Sequence, residues 1–462
     1  MPAGALVVAY FVWFTHLSVA VNDGYGTGGY DLGIFDQGVW LLSRFHAPFV
    51  TVMGRNLWGD HTNFVLLLAV PLYWIAPYAQ TLLVLQAALI AGAAVPVYLL
   101  GRRLTDSTLI ATLLTAAFLL NPALQYGNLE QFHPECFLVL AMSLAVYAAV
   151  VGNGRLLAVG VVLGLLVKED TALLMVPLGV WVAARRNWRW GARIVVGALA
   201  SMALDYLVVI RLLLGDMGFY LNRLPFGGAG GLVTTTLTHP LRLWRYIRSG
   251  NQLWYLWQLG SSFGWVWLLA PEVALIGVLN FLENFISTFP YMQEIQYHYS
   301  LAIEPVLALG TVWAVSRLRT PRRRVFFAGV SFACALLCGT LWGLAPWSRQ
   351  TYPHWSPSSP QVAAINAIRR DLPAGAVVSA YYNYVPHVDH RLRCYQWPTP
   401  FAAQYWGLYN EEGKRLPFAG QVQYLFLPTV LPDAPGRALL HSLQPDFRVV
   451  AGNAVATLWK RR

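Results

Sequence analysis

The sequence predicts a polytopic α-helical membrane protein that carries a soluble α/β domain at its C-terminal end. Three observations lead there. Hydrophobic residues make up 57% of the 462 and charged residues only 11%, with a mean hydropathy of +0.49, whereas soluble domains carry roughly 25% charged residues. Several apolar runs reach the ~20 residues that cross a bilayer as helix. After residue 345 these runs stop, and a mixed helix-and-strand pattern replaces them.

The first apolar run, 3–21, lacks a basic flank and a cleavage site, so it reads as a retained helix and not a signal peptide. A polar and aromatic stretch, 22–61, follows. The run 62–78 contains Pro71 and Pro77 and reads as an interfacial or re-entrant helix. Spans are then expected over 80–100, 108–124, 135–151, 156–167, 171–184, 194–214, 252–270, 272–287, 299–316 and 325–345. With the first helix this makes about 11 transmembrane helices. An inner N-terminus places "GRRL" at 101, Arg155, "ARRNWRWGAR" at 184 and "SRLRTPRRR" at 316 on the cytoplasmic side, as the positive-inside rule requires. The expectation is a multi-pass protein of the cytoplasmic (inner) membrane. Its transmembrane domain is 1–345, with outer loops 22–79 and 215–251, and its extracytoplasmic α/β domain is 346–462.

The net charge of +11 sits in these short loop clusters, which argues against nucleic acid as a partner. Arg242, Arg245 and Arg248, beside Trp244 and Tyr246, form an amphipathic stretch on the outer side. It reads as a surface helix that either anchors in membrane-lipid headgroups or grips an anionic lipid substrate. Of the four cysteines, Cys136, Cys334 and Cys338 fall in apolar runs and Cys394 has no evident partner; neither a disulfide framework nor a zinc spacing is present.

Polar residues are rare in this chain, yet the topology collects them at one face. The first loop holds Asp31, Asp36, Arg55, Asp60 and His61, and "EQFHPE" holds Glu130, His133 and Glu135. "KED" holds Lys168, Glu169 and Asp170, and "QEIQYHY" holds Glu294 and His298. The two helices around KED are short, so KED is expected below the outer surface in a water-filled cavity. Ionisable groups at that depth are costly and mark function. Such a set suits group transfer from a lipid-linked donor. An inverting sugar transfer needs a carboxylate to take the acceptor's hydroxyl proton, and cations or a metal to neutralise the departing phosphate.

Asp31, after a Gly-Gly-Tyr turn, is the first choice for the base, and Asp36 the second. Lys168, Arg55 and Arg245 are the candidates for the donor phosphate. His61, Glu130, His133, Glu135, Glu169, Asp170 and His298 are expected to line the cavity. Each has a structural reading as well: helix capping for Asp31, a buried hydrogen bond for Asp36, a salt bridge with its neighbouring acids for Lys168. No nucleotide-binding glycine motif, GxSxG or HExxH occurs. No cofactor is called, although a divalent metal, Mg or Mn, suits such a site.

"YDLGIFDQGVW", "GDHTNFVLLLAVPLYWIAP", "LLVLQAALIAGAAVPVYLLGRRL", "NPALQYGNLEQFHPECF" and "LLVKEDTALL" resemble, in this order, the membrane proteins of domain of unknown function 2079. That family is grouped with the GT-C superfamily of polyprenyl-phosphate-dependent glycosyltransferases. The resemblance implies a GT-C fold, a polyprenyl-phosphate sugar donor, an extracytoplasmic acceptor (lipid, glycan or protein) and a catalytic carboxylate in the first outer loop. That carboxylate maps to Asp31 or Asp36; the contiguous acid pair of some superfamily members is missing here. A transporter or flippase of a polar or lipid-linked substrate and a non-catalytic envelope scaffold are the alternatives.

Overall fold

The computed structural model describes residues 2–215, 223–405 and 411–462. Residues 216–222 of the expected outer loop 215–251 and residues 406–410 of the expected C-terminal domain lie outside them. The chain forms two compact units. One comprises Met1–Thr15, His61–Val65 and Leu85–Tyr352, the other His16–Asp60, Leu66–Val84 and Pro353–Arg462.

Among the described residues, five helices are long and apolar enough to cross a membrane: Ala3–Asp23, Ala79–Thr105, Trp188–Leu214, His298–Arg317 and Pro321–Leu341. A sixth is the pair Thr108–Leu119 and Pro122–Leu129, bent by 45°. The bend has a local cause. Asn121 accepts from the Ala123 N–H at 2.8 Å and starts a new helix with Pro122 at its first position, where a missing N–H costs nothing. Apolar helices too short to count as spans include Glu135–Val151, Gly154–Leu165 and Ala274–Ile286. In the run 252–270 the α-helix ends at Ser261, Gly264 and Trp265 turn the backbone to positive φ, and a 3-10 helix follows at Val266–Leu269. The structure thus supports a multi-pass membrane protein with five or six long spans and several shorter apolar helices.

Small residues let the first unit's helices approach closely. A Cβ on Gly160 would stand 2.8 Å from the Ala145 backbone nitrogen, so Gly154–Leu165 packs directly on Glu135–Val151. Gly191 plays the same part between Trp188–Leu204 and Ala172–Arg185, where a Cβ would meet the Ala183 nitrogen at 2.4 Å. The hairpin Gly154–Leu165 and Ala172–Arg185 turns at KED, with Glu169–Thr171 as a single 3-10 turn.

The second unit contains a two-stranded ladder, β1 (Phe49–Val50) and β2 (Arg55–Asn56), and a five-stranded sheet. The sheet's strands are β3 (Val378–Ala380), β4 (Cys394–Gln396), β5 (Tyr424–Pro428), β6 (Phe447–Gly452) and β7 (Ala456–Arg461), in the order β4-β3-β5-β7-β6. β3 runs parallel to β4 and β5, while β7 pairs antiparallel with β5 and β6. Tyr395, Trp397, Phe401, Leu425, Leu427 and Phe447 form a core beneath it. "QVQYLFLP" contains β5, buried through its middle, and the C-terminal run forms β6 and β7.

First-loop residues complete this unit. Thr51 Oγ1 donates to Cys394 O at 2.7 Å and accepts from the Cys394 N–H at 2.9 Å, pairing the free edge of β4. Gln37, fully buried on the helix Ile34–Ser43, accepts from the Thr51 N–H at 2.9 Å and donates to Arg391 O at 3.1 Å. The loop and the C-terminal chain therefore share one hydrogen-bonded fold.

His387 gives this unit a pH signature. Its ring packs on Tyr25 at 4.0 Å with Nε2 sealed from solvent. Burial, aided by the positive charge of Arg369, pushes its pKa down from 6.5 to about 3. The unfolded chain therefore binds a proton that the folded chain refuses, and stability falls as pH drops through about 6.5. His387→Phe, which keeps the ring and removes the titration, is expected to flatten the fall in Tm between about pH 6.5 and 5, as thermal unfolding would show.

Candidate functional site

Residues 61–65 are stitched to the KED turn. The Val65 N–H donates to Leu166 O at 2.8 Å, Asn63 Nδ2 to Val167 O at 2.7 Å and the Thr62 N–H to Glu169 Oε2 at 3.2 Å. His61 Nδ1 meets Glu169 Oε1 at 2.6 Å. Lys168 is 8% exposed, and its Nζ lies 3.2 Å from Asp170 Oδ2 and 3.4 Å from Glu135 Oε1. Burial opposes its charge, but Asp170, Glu135 and Glu169 outweigh burial and hold its pKa well above the ordinary lysine range.

From Glu135 the contacts continue through His298, whose Nε2 stands 3.9 Å away, to Glu130. Glu130 Oε2 accepts from the His298 N–H at 2.6 Å and lies 3.1 Å from its Nδ1. His133 stacks on His298 with ring centroids 3.7 Å apart. Gln86 positions this loop: its Nε2 donates to Gly127 O, Asn128 O and Gln131 O, and its Oε1 accepts from the His133 N–H at 2.9 Å. The first unit thus brings His61, Glu130, His133, Glu135, Lys168, Glu169, Asp170 and His298 into one chain of contacts. Four carboxylates and one lysine share this chain of contacts.

Arg245 lies elsewhere in the same unit. It is exposed on the helix Pro240–Ser249, and its Nε donates to Leu241 O of that helix at 3.4 Å. Among the described residues it forms no ion pair.

The first-loop acids belong to the second unit and differ sharply. Asp31 sits in the turn Gly29–Gly33 and is half-buried. Arg55 is buried and pairs with Asp60 at 2.5 Å. The Tyr30 phenol feels all three: burial pushes its pKa up, Arg55 opposes, and Asp60 and Asp31 add to the rise. Asp36 is 1% exposed, accepts from the Tyr73 hydroxyl and lies 2.9 Å from His390 Nε2. Asp389, also 1% exposed, faces it; burial and then the Asp36 charge push the Asp389 carboxyl well above the carboxylate range.

Tyr73, Asp389 and His390 were not among the residues singled out from the sequence, nor was Glu283, whose Oε2 accepts from Asn280 Nδ2 at 3.2 Å. An acid inside the apolar run 272–287 was a usable signal for Glu283. "HVDH" at 387–390 was one for the pair Asp389 and His390. Tyr73 carried none, because a tyrosine in an apolar segment has many uses.

The apolar spans and the buried ionic interior define a multi-pass membrane protein. The chain belongs to the family described as predicted membrane protein DUF2079, which matches residues 26–427. The structure is similar to that of ArnT from Cupriavidus metallidurans bound to undecaprenyl phosphate, at 12% identity and a TM-score of 0.56, covering 98% of this chain and 97% of that one. The apo state of the same protein gives 12% identity, 98% coverage of both chains and a TM-score of 0.49. No curated protein matches the sequence at a significant level.

Removing Lys168 would leave Glu135 and Asp170 facing each other without a cation. Lys168→Gln is expected to destabilise the protein by about 3–5 kcal/mol. Adding Asp170→Asn should recover a large part of that loss, which a double-mutant cycle by thermal unfolding would measure.

Proposed function

We propose that this protein is an integral membrane glycosyltransferase that moves a sugar from a polyprenyl-phosphate donor to an extracytoplasmic acceptor, with inversion at the sugar carbon. The observation that carries the reading is the ArnT fold over 98% of the chain, seen there with undecaprenyl phosphate, in a chain whose polar residues form the ionic clusters described above. The orientation proposed with it is about 11 membrane segments, an inner N-terminus and a C-terminal α/β domain outside the cytoplasmic membrane.

Asp31 is the proposed base. Asp36 is enclosed by Tyr73, His390 and Asp389, whereas Asp31 retains solvent access in its turn. In this scheme the Asp31 carboxylate takes the acceptor's hydroxyl proton. The oxygen attacks the anomeric carbon from the face opposite the phosphate, and the carbon–oxygen bond to the lipid phosphate breaks with its electron pair on the phosphate. Arg55, which shares the surroundings of Tyr30 with Asp31, is the proposed cation for the leaving phosphate. Lys168 and Arg245 are the corresponding proposals in the other unit.

The test uses the purified full-length protein in lipid with a panel of polyprenyl-phosphate sugars and a membrane-lipid extract as acceptor, reading release of the free lipid phosphate. Turnover by the wild type is expected, with a drop of about 10²–10⁴-fold in Asp31→Asn at unchanged Tm. Turnover undiminished in Asp31→Asn would overturn the assignment of the base. Absence of turnover with every donor would overturn the enzyme reading.

A further inference from the structure

The pairing of Asp36 with Asp389 and His390 has chemistry of its own. The ligand atoms of the three side chains all lie within 4.8 Å of one another, and Asp36 Oδ1 is 2.9 Å from His390 Nε2. Both acids are 1% exposed, and the Oδ2 atoms of both are buried with no hydrogen-bond partner. Ionising both carboxylates in such a place costs several kcal/mol each unless a positive charge joins them; without one, a proton held between Asp389 and Asp36 relieves the pair. Arg391 is close in sequence, but its guanidinium is turned to backbone carbonyls, Val388 O and, at 2.8 Å, Ala376 O. The carboxylates are left with a part-exposed imidazole and the Tyr73 hydroxyl.

We propose that Asp36, Asp389 and His390 bind one divalent ion of the zinc or manganese type, which ties the first-loop helix Ile34–Ser43 to the C-terminal chain. Such ions hold nitrogen and oxygen ligands at about 2.0–2.2 Å, so their ligand atoms stand ~3–4 Å apart, a spacing these side chains reach with small rotations. One imidazole among carboxylates suits zinc or manganese, whereas magnesium and calcium take all-oxygen sets. The His390 ring is already oriented by stacking on Trp40, with centroids 5.8 Å apart and planes 16° apart.

Glu130, His133 and His298 also bring ligand atoms within 4.8 Å. Their two imidazoles are stacked nearly parallel, 18° apart, so the in-plane lone pairs run side by side and a shared ion would require the rings to turn. The ion is therefore assigned to the acid pair.

The full-length protein, stripped with chelator in lipid nanodiscs and re-equilibrated with Zn²⁺ or Mn²⁺, provides the test, read by metal content and by thermal unfolding. About one ion per chain is expected to survive desalting and to raise Tm by several degrees. Asp389→Asn and His390→Ala should each lose both the ion and the Tm shift, whereas His133→Ala should keep both. Asp389→Asn keeps the shape and replaces a buried carboxyl by a group that cannot ionise, so its Tm without metal should match or exceed that of the stripped wild type. Wild-type protein without a stoichiometric ion would overturn the proposal. So would variants that bind like wild type, or loss of the ion in His133→Ala alone.

Discussion

A single ammonium group, that of Lys168, sits between Glu135 and Asp170 where water is scarce, and the polar interior of the helical unit depends on it. The two carboxylates come from different parts of the chain, the helix Glu135–Val151 and the KED turn. Their mutual repulsion in a low-dielectric setting is large unless a cation stands between them. The lysine therefore joins the two while remaining charged itself. The His61 contact to Glu169 extends the same logic to residues 61–65, and the carbonyls at 166 and 167 receive donors from that stretch. Short helices make this arrangement affordable in sterics: the hairpin is too short to carry the KED turn through a full hydrocarbon layer.

The second unit solves a different problem. β4 is an edge strand whose backbone would be open to unwanted pairing. Thr51 satisfies it at Cys394 from the first loop, its hydroxyl acting as both donor and acceptor, and Gln37 holds Thr51 in place. One consequence is that the loop carrying Asp31 is held by the same hydrogen bonds that finish the sheet. A second is that the two first-loop acids, five residues apart, meet unlike surroundings. Asp36 turns into the fold toward Tyr73 and His390, and Asp31 remains at the turn that precedes the helix. A base must reach its substrate, so burial separates the two more firmly than any feature of their spacing.

Membership of the DUF2079 family and the ArnT-like fold place these two clusters on a scaffold that is known as architecture. Chemistry is carried by side chains grafted on a fold, and the ionic interior of the first unit is the feature of this chain most in need of a chemical purpose. Ionisable groups in a membrane protein are retained at a cost in stability.

Hydropathy and the change of pattern after residue 345 are local quantities, and they sufficed for the class: a multi-pass membrane protein with a C-terminal sheet domain, in an ordered set of motifs that carried the family resemblance. They also drew attention to Lys168, Glu169, Asp170, Glu130, Glu135 and the histidines, because charge in an apolar chain is conspicuous wherever it falls. Breaks within apolar runs were less legible, since Asn121 with Pro122, or Gly264 with Trp265, alter backbone direction without altering hydropathy. Only the tertiary structure decided which acids are enclosed, that Asp36 meets His390 across 354 residues of chain, and that Thr51 finishes a strand that begins at Cys394. Contacts of such separation leave no periodic trace in a sequence. Their energy comes from exclusion of water around specific polar atoms, and that exclusion exists only once the chain is folded.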